Sequence, residues 1–557
     1  TALKEKKTVF FLTSRNTQHK IAMDTIKAIR DNKKLNITAT DIIGKKWMCL
    51  QAGVHSLGSS EFSEYCKALR EDKKCNFYER LKDGESLAPV TKLAVKELQQ
   101  AGPVTVEALM DKGSAHELCP YELGMLLAKQ SHVIVTDYYY LFHPRIRENF
   151  LKKNNIALED CIIIIDEAHN LPSRIKDLAS HRLSTTILQR AAKEASNENQ
   201  KQLIKPLEEL HATVKDLLPR GEDEKYVDKE TFLMKTRRFM DYAEFMKQCQ
   251  DVAEKIREEK KISAIGAVAD FLESWLGAAD GFTRIVSRRK GMQGETITLS
   301  YRCLDPSIVA KPVIDQSHST IAMSGTLTPT NMYASLLGFT QPIEEEFPSP
   351  FPKENQLNLI VAKTSTKYTA RSAQQFQEIA QIVTDIANAT PGNSMIFFPS
   401  YYLKEQVEKY ISGIEKTVFI EHPGMSTQEK EEVIEKFKSY KKHGAVLLGV
   451  VSGSFGEGLD LPGDELRTVV VVGLPLSRPD LETKALIEYY DAKYKNGWNY
   501  GYIFPAFNRV IQNAGRCIRS PTDRGVIVFL DERYTWDKYY RCFPRSWERK
   551  VSVKHYK

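Results

Sequence analysis

The sequence predicts an α/β chain built on parallel sheets and broken by two inserted segments. Three observations carry this. First, short β-branched or apolar runs recur: "TVFFLT" (8–13), "CIIII" (161–165), "STIAMSG" (319–325), "SMIFFPS" (394–400), "AVLLGVV" (445–451), "TVVVVGLPL" (468–476) and "GVIVFLDERY" (525–534). Such runs are strands covered on both faces, and the helical stretches between most of them imply parallel pairing through right-handed crossovers. Second, 42% of the 557 residues are apolar, enough for about three or four cores at roughly 150 residues each. Third, residues ~43–125 (polar, cysteine-bearing) and ~175–300 (charged, helical) interrupt the alternation.

The opening stretch "TALKEKKTVFFLTSRN" has too short an apolar part for a signal peptide. It reads as the tail of a helix feeding a strand that ends in a polar loop. "HKIAMDTIKAIR" after it has helical periodicity. In the second insertion, Ile204, Leu207, Leu210, Val214 and Leu217 share a helix face, read as ordinary packing. "SRRKG" (287–291) reads as a solvated basic turn. No run of 18 apolar residues marks a membrane span. The net charge of +7 fits a nucleic-acid partner and a solvated basic surface equally. Nine cysteines without a secretory segment point to a reducing compartment.

Asp166 and Glu167 stand where the "CIIII" strand ends. Open α/β sheets bind ligands at that end. In a nucleotide hydrolase the first carboxylate holds Mg²⁺, and the second orients and deprotonates the attacking water. The partner would be a loop of pattern G-x-x-x-x-G-K-[ST]. The sequence holds none; "IIGKKW" (42–47) lacks the earlier glycine and the Ser/Thr. The loop is expected about 40–60 residues' worth of chain ahead of Thr1, the length of a strand–loop–helix unit with its lead-in, so the chain as given is expected not to hydrolyse ATP alone.

Gln512, Arg516 and Arg519 are spaced by four and three, one face if helical. Aimed across a cleft, the arginines would neutralise charge on a γ-phosphate. In "GSFGEGLDLPG" (453–463), Gly453, Gly456 and Gly458 let backbone approach a ligand, and Glu457 and Asp460 add acceptors. Ser324 and Thr326 in "MSGTLTP" offer hydroxyls after another strand.

Cys49, Cys66, Cys75 and Cys119 lie in the first insertion with spacings x₁₆, x₈ and x₄₃. No close C-x₂₋₄-C pair of a structural zinc site occurs. Iron–sulfur sites tolerate varied spacing, and Cys119-Pro120 matches the Cys-Pro that closes many of them. By spacing alone a cluster, zinc and unrelated thiols all stay open. For a nucleic-acid track, which pairs cations with aromatic platforms, the candidates are Arg15, Lys46, Trp47 and Tyr139, the last within the Tyr138–Tyr140 run that also reads as core.

Taken in order, "FLTSRN" (11–16), "DEAH" (166–169), "SGTL" (324–327), "FFPSYY" (397–402), "GEGLD" (456–460) and "QNAGRCIR" (512–519), joined by "LCPY" (118–121) and "YRCLDPS" (301–307), resemble the XPD family of iron–sulfur DNA helicases in superfamily 2, which also takes in DinG-like and FANCJ-like proteins. The resemblance spans nearly the whole chain and departs from the family at the missing first motif. It is nearest the compact archaeal members.

That resemblance implies two RecA-like parallel-sheet motor domains, with an iron–sulfur domain and a helical arch inserted in the first. The implied division is 1–43, 126–174 and 301–342 for the first motor domain, 44–125 for the cluster domain, 175–300 for the arch and 343–557 for the second motor domain. It implies ATP and Mg²⁺, with Asp166 on the metal, Glu167 as base and His169 coupling neighbouring motifs. Gln512, Arg516 and Arg519 would reach the γ-phosphate, and Glu457 and Asp460 would lie at the cleft. A 4Fe–4S cluster would sit on Cys49, Cys66, Cys75 and Cys119, folding a segment poor in core of its own. The implied activity is 5′→3′ translocation on single-stranded DNA and unwinding of fork or bubble DNA in repair, by a monomer with repair-complex proteins as further partners, cytoplasmic if archaeal and nuclear if eukaryotic. Two other readings are a DNA-binding scaffold, if Thr1 is the natural start, and a DEAH-type RNA helicase, against which the cysteine insertion speaks.

Overall fold

The computed structural model describes residues 2–15, 17–260, 263–291, 294–456, 459, 461–476 and 478–552. The chain divides into two units. Unit one is Thr1–Leu327 with Tyr333–Pro342, and unit two is Thr328–Met332 with Ile343–Lys557.

Unit one contains, in chain order, β1 (Thr8–Thr13), β2 (Ala39–Asp41), β3 (Lys82–Asp83), β4 (Ser86–Leu87), β5 (Val133–Asp137), β6 (Cys161–Ile165), β7 (His181–Ser184), β8 (Glu224–Tyr226), β9 (Phe282–Gly291), β10 (Gly294–Cys303) and β11 (Ser319–Ala322). A five-stranded sheet has the order β11-β6-β1-β5-β2, and every pairing in it is parallel. The isoleucine strand β6 lies between β1 and β11, with Ile163 and Ile165 fully buried. Branched side chains fill the pleat there, so the strand ends where the carboxylates begin.

The core around Phe10, Leu12, Ile134 and Ile163 runs on without a break into Met48, Leu81, Leu98, Leu109 and Leu118 of the cysteine segment. That segment therefore borrows the core of the sheet domain. Its only strands among the described residues are the short hairpin β3–β4.

Three expectations fail in unit one. The composition of "STIAMSG" predicts a buried strand. It is β11, at the sheet's edge, and Ile321 is 51% exposed. An edge strand has a neighbour on one side only, so apolar composition does not guarantee cover. The ~175–300 insertion is not purely helical. Its helices, including Lys201–Asp216, pack on a four-stranded antiparallel sheet of order β7-β10-β9-β8. The basic stretch 287–291 is the end of strand β9, paired to β10, and not a turn. Alternation along β10 places Ile297, Leu299 and Tyr301 in the core. Along β9 the signal is masked because Arg284 is itself buried: its guanidinium lies 4.6 Å over the Tyr301 ring and donates to the Trp275 and Gly277 carbonyls at a helix end. The face carrying Leu207, Leu210 and Val214 is packed, as its spacing predicts.

Unit two contains β12 (Gln356–Val361), β13 (Ser394–Phe398), β14 (Thr417–Ile420), β15 (Ala445–Val450), β16 (Thr468–Val472), β17 (Gly525–Leu530) and β18 (Arg549–Ser552). They form one parallel sheet of order β14-β15-β13-β16-β17-β12-β18. One core lies on each face, around Phe397, Val469 and Phe529 on one side and Ile396, Val470 and Val528 on the other. Cover on both faces is why β13, β15 and β16 read as unbroken apolar runs, all of whose residues are buried.

Candidate functional site

The acidic turn of unit one grows out of β6. The Asp166 N–H bonds the Leu12 carbonyl at 2.8 Å, extending the ladder by one residue. Glu167 then takes a left-handed backbone (φ 50°), which costs a non-glycine residue roughly 1–2 kcal/mol. The turn is held against that cost. Its Glu167 N–H bonds the Asp166 Oδ1 at 3.0 Å and its Ala168 N–H bonds the Met323 carbonyl. The Tyr138 hydroxyl sits against both the Asp166 and the Glu167 carbonyls. Tyr138 is 4% exposed, and burial, with the neighbouring Asp166 next, raises its pKa, so it remains a donor.

A hydroxyl relay orients the second carboxylate. Ser324 Oγ donates to Glu167 Oε2 at 2.8 Å and stands 2.7 Å from His169 Nδ1. The single Ser324 proton is used on Glu167, so His169 donates through Nδ1–H to Ser324. His169 Nδ1 also lies 3.2 Å from Glu167 Oε2 and 3.3 Å from Thr326 Oγ1. The Asp166 carboxyl is pushed up, first by burial and then by Glu167 beside it. A half-buried carboxylate held near a second one is suited to a divalent cation, which removes both penalties.

In unit two, the sequence expectation for Gln512, Arg516 and Arg519 needs correction. The helix Phe504–Ala514 stops before the arginines, so the three do not share a helix face. Gln512 is half-buried on that helix. Arg516 lies in the turn after it and is 4% exposed. Its guanidinium donates to the Gly456 and Leu459 carbonyls. Asn513 Nδ2 donates to the Val451 carbonyl at 3.2 Å, so two residues around the helix end hold the glycine-rich loop. Arg519 is exposed and its N–H bonds Asp523 Oδ2 at 2.7 Å. Asp523 holds the turn beyond the helix: burial raises its carboxyl, but the Ser520 hydroxyl and the Arg519 and Ser520 N–H groups outweigh this and hold it low.

The glycines also differ from expectation. A Cβ on Gly453 would fall 2.4 Å from a Glu421 oxygen, and one on Gly456 would fall 2.2 Å from the Val451 carbonyl. Both make room for the protein itself and not for a ligand. Glu457, Gly458 and Asp460 lie outside the described residues.

Cys49, Cys66, Cys75 and Cys119 line one enclosed cavity of about 20 Å³ with Leu50, Phe62, Phe77 and Pro120 around them and Lys45 and Arg70 at hand. Cys119 is the N-cap of the helix Pro120–Ala128. Burial pushes its thiol up to about 12 and raises that of Cys49 as well. Four soft donors converging in an apolar pocket suit iron or zinc, both of which require the thiolates. The cavity itself has room for about one water, and among the described residues no three ligating groups are placed to share one metal ion.

Of the nucleic-acid candidates, Trp47 is 51% exposed, stacks on His55 at 5.7 Å and carries Lys46 Nζ 4.7 Å over its ring. Lys46 also donates to the Leu57 carbonyl. Tyr139 is 40% exposed, whereas Tyr138 and Tyr140 are buried. Arg15 is half-buried in the loop after β1, where its carbonyl accepts from Thr13 Oγ1.

Two residues of these sites escape sequence reasoning. Tyr138 reads only as one of three tyrosines that stack or pack. Glu421 gives no signal at all, because β14 before it carries no clear strand pattern.

The chain matches two family models, DEAD_2 over residues 12–188 and the helicase C-terminal domain over 383–550. It is 26% identical over 552 residues to the ATP-dependent DNA helicase XPD of Sulfolobus acidocaldarius, covering 96% of this chain and 90% of that protein. It is 24% identical over 563 residues to the general transcription and DNA repair factor IIH helicase subunit XPD/RAD3 of Saccharomyces cerevisiae, covering 84% and 70%. Among solved structures, an XPD helicase aligns over 99% of this chain and 93% of its own, at 21% identity and a TM-score of 0.63. S. tokodaii Xpd4 aligns over 99% and 97%, at 17% identity and a TM-score of 0.57. These structural likenesses carry the fold: two RecA-like parallel-sheet domains.

Proposed function

The chain belongs to the XPD family of ATP-dependent DNA helicases, and we propose that it translocates 5′→3′ along single-stranded DNA and opens fork or bubble duplex in nucleotide excision repair. The observation that carries the chemical part is the acidic turn: two adjacent carboxylates at a strand end, one of them aligned by a Ser–His relay.

Asp166 is assigned to the Mg²⁺ of the nucleotide, which when bound neutralises charge on the phosphate oxygens. Glu167 Oε2, fixed by Ser324, is the acceptor for the proton of the attacking water. His169 keeps Ser324 turned toward Glu167, so that a change at the Ser324–Thr326 segment is felt at the base. Gln512, Arg516 and Arg519, with Glu457 and Asp460, are assigned by motif position to the γ-phosphate side in the second motor domain. Arg15, Lys46, Trp47 and Tyr139 are assigned to the DNA strand, giving binding that weakens steeply with salt and shows little base preference.

Cys49, Cys66, Cys75 and Cys119 are assigned to a 4Fe–4S cluster, which when bound cross-links segment 44–125 into a stiff element at the duplex junction. Their convergence in one apolar pocket supports this. Segment 175–300 is assigned to the arch, and the domain boundaries follow the motif order. The chain is taken as a monomer.

The test is single-stranded-DNA-stimulated ATP hydrolysis and unwinding of a 5′-tailed fork by the full-length protein, with RNA and a 3′-tailed fork as comparisons. Stimulation by DNA with unwinding of the 5′-tailed fork alone is expected. Equal stimulation by RNA, or no hydrolysis, removes the reading.

A further inference from the structure

Glu421 is a fully buried carboxylate just past β14, and no mechanism above uses it. Its backbone N–H continues the ladder onto the Leu448 carbonyl at 2.9 Å. Its two oxygens are spent differently. Oε2 accepts the Val450 N–H at 2.9 Å, at the last residue of β15. Oε1 accepts the Ser454 N–H, inside the glycine-rich loop, and the Tyr401 hydroxyl at 3.0 Å. Tyr401 is the first residue of the helix Tyr401–Glu408, which follows β13. One side chain therefore ties three elements together at the carboxyl edge of the sheet.

The loop is shaped around this group. A Cβ at Gly453 would come within 2.4 and 2.6 Å of the two oxygens, and one at Gly449 within 3.2 Å of Oε2. Among the described residues no Lys, Arg or His forms an ion pair with Glu421, and its contacts are two backbone N–H groups and a phenol. Both carboxyl oxygens face donors, a requirement that an amide, with one oxygen and one NH₂, does not meet.

From the other side the same loop is held by Arg516, which donates to the Gly456 and Leu459 carbonyls, and by Asn513 on Val451. The loop is thus a short bridge with Glu421 at one abutment and Arg516 at the other. A shift at Ser454 is transmitted through two residues to a carbonyl that Arg516 grips.

We propose that Glu421 is a positioning residue for ATP hydrolysis: through residues Val450–Gly456 it sets where the Arg516 guanidinium stands, and Tyr401 links that setting to the start of the 401–408 helix. This rests on the assignment of Arg516 to the γ-phosphate. A group that aligns an arginine on the reacting phosphate affects the transition state more than the bound ground state, so its loss lowers kcat rather than raising KM.

The test uses the full-length protein with Glu421→Gln, Tyr401→Phe and the double variant, measuring kcat and KM for ATP at saturating single-stranded DNA, DNA affinity by anisotropy, and thermal melting. Glutamine keeps the shape but turns an NH₂ toward a donor. Expected for Glu421→Gln is a kcat loss of about 10-fold or more, of the kind that misplacement by an ångström produces. KM for ATP and DNA affinity should stay within about twofold. Tyr401→Phe should cost several-fold in the wild-type background and nothing further when added to Glu421→Gln, because the two act as one unit. Near-normal kcat in Glu421→Gln, a loss carried by KM, or losses that multiply independently would each overturn the proposal. Should Glu421→Gln not fold, Tyr401→Phe decides alone: a kcat loss with unchanged melting supports it, and unchanged kcat overturns it. Absence of DNA-stimulated hydrolysis in the wild type defeats the motor reading instead, and is distinguishable.

Discussion

Removing the Tyr138 hydroxyl is the sharpest probe of the acidic turn. Tyr138→Phe keeps the ring in a 4%-exposed site, so no cavity forms. Only the donor is lost, and with it the hydroxyl's contact to the Asp166 and Glu167 carbonyls; the Glu167 carbonyl keeps the Asn170 N–H at 3.0 Å, so the Asp166 carbonyl bears the loss. A buried acceptor left without its partner costs about 1–3 kcal/mol. Glu167 already carries a left-handed backbone, φ 50°, so the turn has an alternative conformation to relax into. If the whole cost appears in the step that needs Glu167, hydrolysis slows by about 5- to 150-fold, at 1.36 kcal/mol per decade. The assay is DNA-stimulated ATP turnover at saturating Mg–ATP in the full-length protein, with thermal melting alongside. The expected result is a turnover loss in that range with DNA affinity unchanged. A variant with wild-type turnover and melting would show that the backbone bonds from Leu12 and Met323 hold the turn unaided, and the reasoning would fail.

Glu167→Gln should still bind Mg–ATP but hydrolyse it at least about 10²-fold more slowly, the lower range for a lost general base; normal turnover excludes Glu167 from the role. Cys66→Ser should abolish the iron content and the absorbance near 400 nm expected of thiolate–iron bonding (roughly that wavelength) and with them unwinding, while DNA-stimulated ATPase persists; a colourless wild-type protein with stoichiometric zinc refutes the cluster. Because burial and Glu167 raise the Asp166 carboxyl, its proton competes with Mg²⁺ at a higher pH than for an ordinary aspartate. Mg–ATP affinity, read by titration, should therefore show a proton-linked fall on acidification that Asp166→Asn, binding more weakly throughout, lacks; parallel curves would remove Asp166 from the metal. Trp275→Ala should destabilise the helical insertion by about 3–5 kcal/mol, since Trp275 is fully buried between Phe232, Phe271 and the Arg284 guanidinium, and limited proteolysis should then cut first within 175–300.

What can be read from the sequence is whatever a single local rule decides. The isoleucines of β6 and the valines of β16 are buried on both faces, and a continuous β-branched run has few other uses. The packed face of Leu207, Leu210 and Val214 follows from helical spacing alone. The misreadings share a cause as well. β9 carries Arg284, Arg288, Arg289 and Lys290, and only tertiary contacts reveal that Arg284 caps carbonyls and stacks on Tyr301. The spacing 512, 516, 519 is helical arithmetic, but the chain leaves the helix at Ala514, before the glycine at 515, and Asp523 then takes the Arg519 and Ser520 N–H groups in a turn.

The glycine-rich loop shows why the site itself is only half legible. Glycine in such a loop says that something comes close, and the sequence does not say what. At Gly453 the close group is the Glu421 carboxylate, 32 positions earlier in the chain, and at Gly456 it is the loop's own Val451 carbonyl. The N–H of Ser454, which in a phosphate cradle would face a ligand, is already spent on an internal anion. A loop whose donors are neutralised from within gains no affinity for phosphate at that point. What it gains is a fixed height above the sheet, and with it a fixed pair of carbonyls for Arg516. The acidic turn is held differently: a phenol bonds the backbone carbonyls of Asp166 and Glu167, and a serine donates to the Glu167 carboxylate. In the loop of the second sheet the partner is a side chain far away in sequence, whereas in the acidic turn the fixing groups follow strands of the same sheet, which is why the turn is the more legible of the two.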